Sequence, residues 1–201
     1  MTAKRNTAVA LIRNAAPFAI RAERASDVVA REALLDACFG ENRHTRTCQR
    51  LRDGRAPAAG LSLSAVRQDG RLVGTVRLWH VSAGGRDALM LGPLAVDETC
   101  RGLGVGAALM QRAIEIARTR GHGAVILLGD APYYIRYGFS AARMGELSLP
   151  GAFERERLLG LELKSGALDG AWGMIVPTGT PLPKAKAART RKAPLAVPHA
   201  A

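Results

Sequence analysis

Apolar and polar positions alternate with a period of two along residues 61–66 and 72–79. The residues between these segments contain the turn dipeptide Asp69-Gly70, so the pattern predicts a β-hairpin. Residues 88–96 then form an apolar run that is too short for a typical helix and is broken only by Gly92-Pro93. Such a run is typical of a strand that is buried on both faces of a central sheet.

A helix and a second buried strand follow this central strand. Residues 104–120 carry apolar side chains at helical spacing with polar side chains on the opposite face, and residues 124–128 form another apolar run. Two buried strands joined by a helix make a right-handed βαβ unit with parallel strands. The predicted fold class is therefore α/β (α+β), with a mixed sheet that is antiparallel before this unit, parallel across it and flanked by helices.

Weaker patterns predict the outer elements. Residues 18–21 are a short strand candidate, and Ser26-Asp27 offers an N-cap for an apolar helix that follows it. Residues 43–52 form a basic segment that is either helical or a loop. After the βαβ unit, residues 158–163 and 171–176 are the two last strand candidates.

Composition sets the limits of the folded domain. A chain of 201 residues is long enough for one domain with a sizeable core and terminal tails. Residues 1–16 are basic and mildly apolar, which predicts a flexible N-terminus before a domain at residues 17–176. Residues 177–201 are rich in Pro, Ala, Lys and Arg and cannot bury enough apolar area to order themselves, so they are predicted to be a disordered basic tail.

Cysteine usage and charge narrow the class of protein. The three cysteines show no spacing typical of a disulfide framework or a metal site, which predicts a reducing, cytoplasmic location and no bound metal. No stretch approaches the ~20 apolar residues of a membrane span, so no membrane association is expected. The formal net charge of +12 is compatible with binding of an anionic ligand or a nucleic acid, or it serves only to keep the protein soluble. No aromatic residues interleave the basic tail, which argues against a nucleic-acid partner.

The link between the central strand and the long helix carries the clearest candidate chemistry. It contains Arg101 followed by Gly102, Gly104 and Gly106. A glycine-rich turn that opens a helix presents unpaired backbone N–H groups and the positive end of the helix dipole to an anion. Three interpretations fit the residues alone: a packing turn, a dinucleotide site of the pattern G-x-G-x-x-G/A, and a pyrophosphate cradle.

The dinucleotide interpretation is the weakest of the three. Its glycine fingerprint normally opens the first βαβ unit, whereas here three predicted antiparallel strands come first. No acidic residue stands near His122, at the distance where a ribose ligand is expected, and no second nucleotide-binding half follows. A Walker-type phosphate loop is excluded because the Gly-Lys-Ser/Thr sequence is missing.

Two motifs together resemble the GNAT superfamily of N-acetyltransferases. Arg101-x-x-Gly104-x-Gly106 resembles its acetyl-CoA-binding motif, and Tyr134 with Gly138-Phe139 resembles its Tyr-x-x-x-Gly-Phe segment. They stand in the order and at the separation of the small single-domain bacterial members. The resemblance implies a GNAT-like acyl-CoA N-acyltransferase fold in which the two parallel strands splay at the cofactor site and the sheet finishes with an antiparallel pair.

The same resemblance implies a co-substrate and a set of site residues. Acetyl-CoA would lie between the splayed strands, and a primary amine would attack its thioester directly. The backbone N–H of Val96 would stabilise the thioester oxygen, and Tyr134 would be the general acid, with Tyr133 as its rival. The implied cofactor-binding residues are Leu94, Ala95, Val96, Arg101, Gly102, Leu103, Gly104, Val105, Gly106, Ala107 and Tyr134.

Several features stay open at this level. Four residues are available as the general base, directly or through water: Glu41, His44, His80 and Asp97. The basic segment 43–52 suits an acidic or phosphorylated acceptor, or a solvated face. A GNAT-like domain that binds an acyl-CoA as a regulator or acyl-carrier partner, without turnover, is the alternative function. Homodimers are common in this fold, but no residue here defines an interface.

Overall fold

Eight strands form one mixed sheet, with helices packed on it, in a computed structural model that describes residues 17–183. The strands are β1 Phe18–Ala22, β2 Ser62–Arg67, β3 Leu72–Ala83, β4 Arg86–Val96, β5 Ala124–Leu128, β6 Leu147–Ser148, β7 Leu158–Glu162 and β8 Gly173–Pro177. The α-helices are α1 Val28–Phe39, α2 Val105–Thr119 and α3 Ala131–Tyr134. The main path of the sheet is β1-β2-β3-β4-β5-β7.

Short 3₁₀ helices connect several of these elements. They span Ala25–Asp27, Glu41–Thr45, Thr47–Leu51, Glu98–Cys100, Ile135–Tyr137 and Arg155–Arg157. The sequence pattern of the basic segment 43–52 is compatible with a helix or a loop. The structure places this segment almost entirely in two of these 3₁₀ helices. The predicted fold class is confirmed, because β1 to β4 are antiparallel neighbours and β4 pairs with β5 in parallel.

A bulge in β4 marks the place where this strand stops pairing with β5. The parallel pairing covers only Leu89 with Val125 and Met90 with Ile126, although β4 continues to Val96. The register between β3 and β4 shifts around Gly92-Pro93, where proline has no N–H to give to a ladder. The indole Nε1 of Trp79 donates to the Gly92 carbonyl at 2.8 Å and holds the bulge. The two strands therefore diverge beyond Met90 and leave a cleft.

Helix α2 packs closely on the sheet beside this cleft. Its buried face includes Val105 and Leu109, which pack into the main core. A Cβ on Gly74 of β3 would lie 2.8 Å from Val105 Cγ1 and 2.9 Å from Leu109 Cδ1. The glycine lets the helix approach the strand, which places the start of α2 at the open edge of the cleft.

The last strands do not form the antiparallel pair that the resemblance implied. β7 pairs with β5 along its whole length, and β8 pairs with the end of β3 and with the short β6. The reason lies in the length of β3, because β2 covers only its first half and leaves an edge at 81–83. β8 satisfies the backbone groups of that edge.

The folded part also extends beyond the predicted boundary at residue 176. Pro177 is the last residue of β8, so it does not belong to the predicted tail. The Ala56 N–H donates to the Thr180 carbonyl at 2.8 Å, and the Leu182 N–H donates to Gly54 at the same distance. These backbone bonds hold residues 177–182 against the domain. The predicted flexible segment 1–16 and the rest of the predicted tail, 184–201, lie outside the described residues.

Asp27 is buried beneath β1 and anchors the start of α1. Its carboxylate accepts two hydrogen bonds from the Arg21 guanidinium, at 2.6 and 2.8 Å, and one from Ser64 Oγ at 3.0 Å. It also accepts the Arg24 N–H at 2.9 Å, so it does not cap α1 itself as predicted. The Arg21 hydrogen bonds hold the pKa of Asp27 well below its usual range, against the opposing effect of burial.

Replacing Asp27 with asparagine is expected to lower the free energy of unfolding by about 3 kcal/mol at pH 7, because it leaves Arg21 without its buried partner. The folded pKa is depressed, so this stabilisation is present above the unfolded value of about 4 and is lost as the pH falls below it. Urea unfolding from pH 7 to pH 3 measures both effects, with the exposed pair residue Glu115→Gln as control. An Asp27→Asn loss below about 1 kcal/mol, no larger than that of an exposed pair, would contradict the account.

Candidate functional site

The cleft between β4 and β5 has a volume of about 630 Å³. One wall is β4 from Met90 to Leu94, and the opposite wall is the end of β5 with the two tyrosines of α3. The 3₁₀ segment 41–52 and the loop 152–157 close the remaining sides. This position beyond the carboxyl end of a parallel strand pair is where ligands bind in open α/β sheets.

Two backbone N–H groups of β4 point away from β3, on the edge that continues from the cleft wall. The Asp97 N–H donates to the Val73 carbonyl at 2.9 Å, and residues 94–96 continue the same regular register with β3. Because an antiparallel ladder alternates its bonding direction, the N–H groups of Leu94 and Val96 point away from β3. Ala95 is directed towards β3, opposite Thr75, so of the predicted β4 residues only Leu94 and Val96 have an N–H for a ligand.

The glycine loop after β4 forms an open turn, which we name the cradle (residues 101–107). Gly102 and Gly104 both have φ of +79°, a conformation that residues with a Cβ rarely adopt. A Cβ at either position would meet nothing within 4 Å. The glycines are therefore needed for the backbone conformation, and the space in front of them is open.

The cradle presents a set of unpaired donors. Within residues 17–183 the N–H groups of Gly102, Gly104, Val105, Gly106 and Ala107 donate to no protein acceptor. Arg101 adds a guanidinium that is 71% exposed and whose one ion-pair partner among the described residues is Glu98, at 3.3 Å, in an exposed pair. Such pairs contribute little, so Arg101 is available to an anion. Val105 is buried in the core and offers the cradle only its backbone N–H, whereas the Leu103 N–H donates to the Cys100 carbonyl at 3.3 Å and its side chain is exposed.

The two rival tyrosines occupy different places. Tyr134 packs its ring against Gly129 and Phe139, and its hydroxyl makes no hydrogen bond to any described residue. The Tyr133 hydroxyl lies over the first turn of α2, where a Cβ on Gly106 would be 3.1 Å away, and it accepts a hydrogen bond from Tyr137 at 3.4 Å. Burial raises the pKa of both phenols, so both are protonated at neutral pH.

None of the four predicted base candidates lines the cleft. Asp97 is held by Thr99 and Arg71, and the His80 ring stands against His122 at 5.4 Å. Glu41 and His44 lie on the 3₁₀ turn but outside the lining residues. The carboxylates that do line the cleft are those of Asp130 and Glu154, 79% and 65% exposed.

Neither carboxylate stands among the bases predicted from sequence, and the reason differs between the two. Asp130 directly follows β5, and the rule that ligands bind beyond strand ends could have identified it. Glu154 comes from a loop that a strand-and-helix pattern does not place. No cluster of His, Cys, Asp and Glu within residues 17–183 is arranged to hold a metal ion.

The fold and the cradle together define the class of protein. The family model described as "Acetyltransferase (GNAT) family" matches residues 29–139, and the chain belongs to this family. In the described part of the chain, no helix has the length and apolar character needed to cross a bilayer.

Individual relatives are similar over most of the chain. The "Uncharacterized N-acetyltransferase YhbS" of Escherichia coli K12 is 32% identical over 163 residues, covering 78% of this chain and 93% of YhbS. The crystal structure of E. coli YhbS in complex with CoA superposes with a TM-score of 0.69 at 30% identity, covering 81% of this chain and 91% of that chain. A GNAT acetyltransferase from Brucella melitensis in complex with acetyl-CoA gives 0.56 at 26% identity, covering 74% and 89%.

Proposed function

We propose that this protein is an N-acetyltransferase that transfers the acetyl group of acetyl-CoA to a primary amine by direct attack in a ternary complex. The observation that carries the proposal is that three kinds of donor lie along the edge of β4 and beside the cleft, where Gly106 of the cradle stands against both Val96 and the cleft residue Tyr133. The three kinds of donor are the unpaired N–H groups of the cradle, the outward N–H of Val96 and the unbonded hydroxyl of Tyr134. A domain that only bound an acyl-CoA would not need the third.

The cradle fits the pyrophosphate of acetyl-CoA. Unpaired N–H groups at the start of α2 match phosphate oxygens, and the open space at Gly102 and Gly104 lets the phosphates approach the backbone. Arg101 adds charge at the rim. The pantetheine arm would then run along β4, where the Leu94 and Val96 N–H groups can bond its amides as an added strand would.

The chain's own residues then account for the chemistry. The amine nitrogen attacks the thioester carbonyl carbon, so a C–N bond forms and the C–S bond breaks. The Val96 N–H donates to the oxygen on which negative charge develops. Tyr134 gives its proton to the leaving sulfur, and the proton that the amine loses passes through water to Asp130 or Glu154.

The test is a transfer assay on the purified chain with acetyl-CoA and a panel of primary amines. Thiol release and the mass of the acceptor are followed together, and we expect both to report one acetyl group per thiol. Binding of acetyl-CoA with no thiol release above the rate of uncatalysed hydrolysis would support the non-catalytic alternative. Absence of acetyl-CoA binding would show that the cradle is a packing turn.

A further inference from the structure

We propose that the acceptor amine carries a carboxylate and that Arg52 binds it, an inference that rests on the proposed function and names its substrate class. Arg52 follows the 3₁₀ helix Thr47–Leu51 and lines the cleft. Its guanidinium forms no ion pair and no hydrogen bond with any residue among 17–183, and its Nε is buried. Burial lowers the pKa of this guanidinium, which is the sign of a charge without full compensation.

The other arginines of the cleft have partners. Arg43 pairs with Glu32 and Asp36, and Arg157 lies 3.6 Å from Asp130 and 3.7 Å from Glu154. Arg157 Nε is itself buried without a partner, but both guanidinium groups have carboxylates within 4 Å, which Arg52 lacks. Arg43 and Arg157 therefore have less uncompensated positive charge with which to attract an anionic acceptor.

Two further arrangements single out Arg52. Arg46 is exposed at the rim and lies over the Phe39 ring at 5.2 Å, where it also donates to the Phe39 carbonyl. Asp53, the acid next to Arg52 in sequence, instead accepts a hydrogen bond from Gln49 at 2.6 Å. Arg52 is the half-buried cation of the described cleft that no carboxylate contacts.

The position of Arg52 suits a group bound beside the reacting centre. A Cβ on Gly92 would lie 3.9 Å from Arg52 Nη1, so the guanidinium stands at the β4 bulge. The bulge precedes Leu94, which lines the cleft, and Val96, and the N–H groups of both residues point away from β3. An acceptor held there has its anion at the wall of the cleft and its amine free to reach the thioester.

The chemistry of the guanidinium favours a carboxylate. Its planar fork gives two parallel N–H donors that match the two oxygens of one carboxylate. A phosphate carries more charge and is usually held by several cations or backbone N–H groups, which the compensated arginines around Arg52 do not supply. Binding a carboxylate also supplies the counter-charge that this half-buried cation lacks in the free protein.

The experiment compares amines that differ only in charge. β-Alanine and γ-aminobutyrate are each assayed against the analogue whose carboxylate is an amide, and phosphoethanolamine tests a phosphate in place of the carboxylate. We expect the chain to prefer the carboxylate by about 100-fold in kcat/KM, mainly through KM, and Arg52→Gln to abolish that preference. The control Arg50→Gln removes an arginine that donates to Pro150 outside the cleft, and it should leave the preference intact.

Each outcome decides the inference. Equal transfer to carboxylate and amide, or an Arg52→Gln loss that is the same for both, overturns it, and so does a preference for phosphoethanolamine. Acetyl-CoA affinity, measured by calorimetry for each variant, shows that the site is folded. Failure of the chain to acetylate any amine is a different result, because it overturns the proposed function.

Discussion

Replacing Tyr134 with phenylalanine is expected to lower kcat by about 100- to 1,000-fold, the size of a lost general acid. The leaving thiolate would lose its proposed proton donor, because Tyr134 lines the cleft and its hydroxyl has no hydrogen-bond partner among the described residues. The ring and its packing on Phe139 remain in the variant, so acetyl-CoA affinity should change by less than about twofold. Pre-steady-state thiol release and calorimetric titration measure the two quantities.

Tyr133→Phe is the matched control for this substitution. It removes a hydroxyl from the neighbouring residue, one that is bonded to Tyr137 and lies over Gly106. We expect a loss of less than about tenfold in kcat, because that group positions the first turn of α2 and transfers no proton. A large loss in Tyr133→Phe together with a small one in Tyr134→Phe would exchange the two assignments.

Replacing Gly104 with alanine is expected to weaken acetyl-CoA binding by about 30-fold or more. The residue has φ of +79°, where a Cβ costs about 1–2 kcal/mol. Its methyl group would also enter the open space in front of the cradle and displace a phosphate from the N–H groups there. Losing one charge-assisted hydrogen bond costs about 1.5–3 kcal/mol, which accounts for the size of the effect. Calorimetric titration with acetyl-CoA measures it.

Gly85→Ala separates this effect from backbone strain. Gly85 lies in the β3–β4 turn with φ of +84°, and a Cβ there also meets nothing within 4 Å. Both variants should lose similar thermal stability, but only Gly104→Ala should lose acetyl-CoA affinity. Equal affinity in the two variants would mean that the cradle does not bind the co-substrate.

Strongly patterned segments were predictable from sequence. The long amphipathic run became α2, and the apolar runs became β4 and β5, because periodicity records which faces are buried. The cradle was predictable because glycine at Gly102 and Gly104 meets a backbone requirement that few other residues can meet. These parts of the site depend on local chemistry alone.

The parts that were missed depend on the assembled fold. The edge of β3 that β8 covers exists only because β2 is short. No sequence pattern within residues 171–176 indicates which strand this segment pairs with. The same holds for charge compensation, because Arg43 and Arg52 look alike in a basic segment until Glu32 and Asp36 are seen to pair with one of them. Both outcomes are set by contacts between elements distant along the chain.

The most direct test of the central claim is a backbone-amide NMR titration of the chain with acetyl-CoA. We predict that the amide signals of Leu94, Val96 and cradle residues 102 and 104–107 shift and gain protection from hydrogen exchange, while the paired amides of Ala95 and Leu103 change less. Binding with these amides unchanged, or no binding at millimolar acetyl-CoA, would contradict the account.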